Sequence, residues 1–148
     1  NHFHIYLTDL NLEDGLRGEN NITIFIRKLC TAYSKYINTK YNRTGSLFEG
    51  RFKSVHVMDD VQAKYLFSYI HLNPIKLIDK NWKTEGVKNW IEVKKFLEKY
   101  KWSSYLDYKK NIRSENNILN IENFPEYFRT IKDFDHEIKE WFMFSKEE

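Results

Sequence analysis

Tyr69 and Asn73 stand four residues apart in the run YLFSYIHLNP, residues 65–74. The run reads as the last turns of a helix, because Pro74 has no N–H to give and pushes the residue before it out of the helical region. Positions four apart on a helix share one face. A phenol able to act as a nucleophile therefore stands one turn from an amide oxygen able to ligate a hard metal. The plainer reading of this pair is a core aromatic and a helix end-cap. His2 and His4 form a second candidate pair, alternating with Phe3 and Ile5. In a strand, residues two apart point to one face. Two imidazoles, the commonest protein metal ligands, would then share one face, with Phe3, Ile5 and Leu7 on the other. The plainer reading is two solvated histidines on a polar strand face.

The elements that would position these residues can be read from pattern and punctuation. Alternation predicts a strand over residues 1–8. Residues 9–21 hold Gly15, Gly18 and several Asn and Asp, which is loop chemistry, and Asn20 or Asn21 can cap the next helix. Ile22, Phe25, Ile26, Leu29, Tyr33, Tyr36 and Ile37 make an apolar stripe at helical spacing, ending near Tyr41 at a turn of Asn42, Arg43 and Gly45. Cys30 reads as a small core residue on that helix. Phe52, Val55 and Val57 predict a strand leaving a basic loop, with His56 exposed. Asp59 and Asp60 can cap the Tyr69 helix, whose stripe is Val61, Tyr65, Leu66, Tyr69 and Leu72. Residues 75–86 read as a loop and Val87–Tyr100 as a helix. Beyond them Ser103 or Ser104 can cap a short helix, and Trp102 is expected to be packed. A catalytic serine is not expected there, since no paired histidine follows at readable spacing. Residues 109–120 read as a linker, and Tyr127, Phe128, Ile131, Ile138, Trp141 and Phe142 mark a helical tail.

Composition bounds the function classes. The chain has 148 residues, 17% aromatic and 41% hydrophobic, enough for a core and too apolar for disorder. No apolar run approaches the ~20 residues of a membrane helix. Cys30 is the only cysteine, which excludes an internal disulfide and a cysteine-based zinc site and suits a reducing cytoplasm. The net charge of +3 is unevenly spread. From Ile22 to Met58, Arg27, Lys28, Lys35, Lys40, Arg43, Arg51 and Lys53 face Glu49 alone, whereas acids dominate after Glu115. A polyanion would meet the first segment. Within it, backbone amides near Gly45 and Gly50, with Arg51 and Lys53 beside Phe48, suit a phosphate backbone and a base stacked on the ring. A solvated helix face and a hairpin packed on a sheet are the plainer readings.

Taken together and in order, NHFH, GSLFEGRFKS, YIHLNP and KWSSY resemble the single-tyrosine HUH transposases, in particular the REP-associated tyrosine transposase branch of the insertion-element enzymes. The resemblance runs from residue 1 to about residue 108. It implies Tyr69 as nucleophile, His2, His4 and Asn73 as ligands of Mg²⁺ or Mn²⁺, and single-stranded or hairpin DNA as partner, with no membrane. DNA contact is expected at Arg27, Lys28, Lys35, Arg43, Phe48, Arg51 and Lys53. The implied reaction is metal-dependent cleavage and strand transfer through a covalent 5′-phosphotyrosine. The implied fold is α+β, a ferredoxin-like sandwich with helices on one face of an antiparallel sheet. Relatives carry a strand, helix and turn before the histidine strand, so the domain at 1–108 is expected to lack its N-terminal part. Residues 87–100 resemble an insertion. Residues 109–148 are a linker and C-terminal helical extension that would cover the sheet, form a homodimer or bind a partner. Two other classes stay open: a remnant that binds structured single-stranded DNA without cutting, and a protein–protein module using the C-terminal helix.

Overall fold

The structure is a computed structural model that describes residues 2–9, 21–123 and 130–144, with side chains as far as 140. It divides into two compact units, residues 1–56 and 57–148. The expected α+β ferredoxin-like sandwich is overturned: among the described residues the chain is helical, and no strand or sheet forms. Residues 2–8 and 51–57 carry the alternation of strands but have no regular secondary structure. Alternation says which side chains would share a face. A strand also needs a paired neighbour to form a ladder of N–H and C=O bonds, and no such ladder forms among the described residues. Their apolar positions stay open accordingly: Phe3 is 53% exposed and Val55 75%.

In the first unit, α1 (Asn21–Lys40) is the long basic helix. Its C-terminus closes where the sequence predicts a turn. Asn42 adopts a left-handed φ of 48°. The Arg43 N–H bonds to the Asn38 carbonyl at 2.8 Å and the Asn42 N–H to Thr39 at 3.4 Å. This is a Schellman closure, which satisfies carbonyls the last turn would leave bare. Ile26 is buried, Cys30 is half-buried, and Phe25, Leu29, Tyr33 and Tyr36 of the expected stripe are exposed. The Phe48 ring lies 6.3 Å from Phe3 and 6.4 Å from Tyr33, centre to centre.

The second unit begins with α2 (Asp60–Leu72), followed by a 3₁₀ turn over Asn73–Leu77. Asp59 caps α2, its carboxylate accepting the Gln62 N–H at 2.7 Å. Pro74 ends the α-helix as expected, yet Asn73 keeps helical angles (φ −53°, ψ −33°), because the chain tightens into the 3₁₀ turn rather than extending. Short helices follow: α3 (Trp82–Glu85), α4 (Trp90–Leu97) and α5 (Tyr105–Tyr108). The helix expected over 87–100 is therefore shorter, its start set by Asn89, whose side chain accepts the Glu92 N–H at 3.2 Å. A 3₁₀ turn at Ser114–Ile118 interrupts the expected linker. The last helix, α6 (Ile131–Phe144), packs on α2.

The unit's core joins Phe67 and Leu72 of α2 to Ile75, Trp82, Val93, Leu97, Tyr105, Tyr108, Phe134 and Ile138. Each such large side chain, fully buried, contributes roughly 1.5–3 kcal/mol. The buried face of α2 is Ala63, Phe67, Ser68, His71 and Leu72. It is rotated from the expected stripe, and Val61 is 79% exposed. Among the described residues no helix is long and apolar enough to cross a membrane. The expectations for residues 10–20 and for Tyr127 and Phe128, and the side chains of Trp141 and Phe142, lie outside the described residues.

Candidate functional site

Tyr69 and Asn73 occupy consecutive turns at the end of α2, and the Asn73 N–H donates to the Tyr69 carbonyl. Both side chains are half-buried. The Tyr69 ring stacks parallel to that of Tyr65, centres 6.1 Å apart and planes 5° from parallel. Lys83 Nζ lies 4.1 Å from the Tyr69 ring centre. Among the competing phenols, Tyr105 and Tyr108 are disfavoured as nucleophiles. Burial pushes both upward in pKa, helped for Tyr105 by the Asp135 and Glu98 carboxylates and for Tyr108 by Asp107. Their ionised forms are correspondingly costly to reach.

Beneath the tyrosine, α2 is tied to the WSSY segment. His71 is buried with both ring nitrogens engaged, Nδ1 2.7 Å from the Phe67 carbonyl and Nε2 2.8 Å from Ser104 Oγ. A carbonyl can only accept, so Nδ1 carries the proton and Nε2 accepts from the Ser104 hydroxyl. Burial pushes the imidazole down to about 4, against the raising effects of the Phe67 carbonyl and the Asp107 charge, so the ring is neutral at neutral pH. Asp107 is itself buried and paired with Arg113 through both carboxylate oxygens. The same guanidinium donates at 2.8 Å to the Lys101 and Ser103 carbonyls, clamping the turn that carries Ser104. The expected serine cap does not form: Ser104 stands at the N-cap of α5 without a side-chain cap hydrogen bond, and Ser103 Oγ accepts the Tyr105 N–H at 3.0 Å. Trp102, expected to be packed, is 78% exposed beneath Lys101. The His71–Ser104 link escapes sequence reasoning because its partners are 33 residues apart and the serine follows the histidine.

His2 and His4 lie in the first unit, Tyr69 and Asn73 in the second. Both histidines are exposed, with ring centres 4.8 Å apart in an edge-on arrangement. Among the described residues no group of three or more His, Cys, Asp and Glu side chains gathers. Two histidines and one asparagine would not form such a group.

Of the expected DNA contacts, Arg27, Lys28 and Lys35 are exposed along α1, and Arg43, Arg51 and Lys53 are exposed beyond it. Phe48 is half-buried and joins Cys30, Thr31, Ser34, Lys35, Asn38 and Thr39 in lining an open groove of about 460 Å³. His56 is exposed. Compared with protein-family models, with curated proteins and with solved structures, the chain finds no match.

Proposed function

We propose that the chain acts on single-stranded or hairpin DNA as a tyrosine nickase of the HUH transposase type. Tyr69 is the nucleophile, and His2, His4 and Asn73 hold Mg²⁺ or Mn²⁺. The observation that carries the reading is the one-turn pairing of Tyr69 and Asn73 on α2, beside a lysine. The bound ion would supply Lewis-acid polarisation of a phosphoryl oxygen. Tyr69 supplies the attacking oxygen, and the His71–Ser104 bond steadies the helix that carries it. Arg27, Lys28, Lys35, Arg43, Arg51 and Lys53 supply phosphate contacts, with Phe48 as a stacking ring. The product is a 5′-phosphotyrosine and a free 3′-hydroxyl, which conserves the bond energy for rejoining. A single cysteine and DNA as substrate suit the cytoplasm.

A second reading rests on one observation. No sheet forms among the described residues, and a sheet is what would hold the two histidines in register. On that reading the protein binds structured single strands without cutting. The test is incubation with a hairpin-bearing single strand and Mn²⁺, followed by denaturing electrophoresis. The wild type should form a covalent adduct. Tyr69→Phe should form none while keeping its helical circular dichroism, since only one hydroxyl is lost, worth about 1 kcal/mol. Equal adduct from both proteins removes Tyr69 from the role, and binding without adduct from either supports the second reading.

A further inference from the structure

Lys83 sits on α3, and its neighbour Trp82 is 2% exposed in the core of the second unit. The buried indole fixes where this short helix rests, and with it the root of the lysine side chain. Lys83 Nζ then stands 4.1 Å from the centre of the Tyr69 ring and 5.8 Å from that of Trp82. Both are within the ~6 Å over which an ammonium is attracted to a ring face. Among the described residues, the ammonium makes no ion pair with a carboxylate, whereas Lys64, Lys88, Lys94 and Lys109 each do. A positive charge is thus held beside the one phenol assigned to chemistry, without a carboxylate to neutralise it.

We propose that Lys83 binds the scissile phosphate of a single-stranded DNA at Tyr69, its ammonium taking a non-bridging oxygen. The inference rests on the reading of Tyr69 as nucleophile and adds a residue to it. In the transfer, the Tyr69 oxygen forms a bond to phosphorus as the bond from phosphorus to the 3′ oxygen breaks. The phenol gives up one proton and the 3′ oxygen takes one up, so the exchange is balanced and needs no oxidant or reductant. Lys83 transfers no proton. It counters the negative charge on the phosphoryl oxygens, an interaction that strengthens where charge develops in a water-poor site. Lysine suits this as a compact point charge; arginine would keep the charge but alter the approach.

The test uses the full chain, a hairpin-bearing single strand and Mn²⁺, with Lys83→Gln and Lys83→Arg. Binding is measured against salt in a Tyr69→Phe background, and adduct formation with Tyr69 intact. One phosphate contact to a single strand contributes about 0.7 to the slope of log K against log salt, so Lys83→Gln should flatten the slope by about that amount and Lys83→Arg should preserve it. The rate of adduct formation should fall by about tenfold or more in Lys83→Gln and less in Lys83→Arg. An unchanged slope in Lys83→Gln overturns the proposal whether or not the wild type cuts. A reduced slope with a wild-type adduct rate also overturns it, because the contact is then elsewhere on the strand. A reduced slope with no adduct from any protein overturns the cleavage reading instead and keeps Lys83 as a phosphate contact.

Discussion

A neutral, buried imidazole makes His71 a source of pH-dependent stability. In the unfolded chain it takes up a proton near its ordinary value of about 6.5. In the fold it refuses that proton until about pH 4. Above the unfolded value neither state is protonated, and the contribution is fully present. As pH falls from 6.5 towards 4, only the unfolded chain gains the proton, so stability is lost, by about 3 kcal/mol across the whole window. Urea midpoints at pH 7 and pH 5 should show a clear drop for the wild type. His71→Gln should be weaker at both and flatter between them. A wild-type midpoint that does not move would show that the folded ring protonates normally. Little of this is legible in the sequence. His71 lies two residues from Tyr69, which says only that it faces another way. That this face is the core face depends on Phe67, Tyr108 and Phe134 closing around the ring, 4.5, 5.3 and 5.3 Å away between centres.

At the scale of elements, the longer helices are readable, whereas the short α3 and the end of the 3₁₀ turn inside the expected loop at 75–86 are not, and neither expected strand forms among the described residues. A helix satisfies most of its backbone from within, so its caps are written nearby: Asp59 before α2, Asn42 after α1, Pro74 at the end of α2. A strand borrows its hydrogen bonds from another part of the chain, which alternation over residues 2–8 or 51–57 cannot supply. The core face of α2 departs from the expected stripe for a related reason. Its apolar positions are spread around the helix, and only packing against α6, with Phe134 and Ile138 buried, selects between them. The exposed Arg51 and Lys53 belong to one of these irregular segments. Replacing both with Ala should flatten the salt dependence of single-strand binding by at most about 1.4 in slope, two contacts' worth, while leaving the fold intact. An unchanged slope would move the DNA-binding surface elsewhere on the molecule.

For the whole molecule, the division into two compact units leads to a prediction about how the second unit folds. Every member of the main buried cluster lies between Phe67 and Ile138, within the second unit. Its ties are internal too: Lys64 to Glu137 at 3.2 Å and Arg113 to Asp107. A fragment of residues 57–148 should therefore unfold cooperatively in urea, with coincident transitions by circular dichroism and tryptophan fluorescence. Non-coincident or absent transitions would mean that the core needs residues 1–56. The basic charge, by contrast, is legible at this scale from sequence, because charge is carried by residue type and does not wait for a partner.

The caps before and after the unit boundary carry an engineering consequence. α1 closes on Asn42 with its own backbone, and α2 opens on Asp59, while Gln62 Oε1 takes the Met58 N–H at 2.7 Å. The hydrogen bonds that close α1 and open α2 join residues 38–43 and 58–63. The exposed stretch 51–56 is therefore a seam at which foreign sequence can be grafted: a reporter domain, a protease site or a new pair of termini would enter there without uncapping either helix.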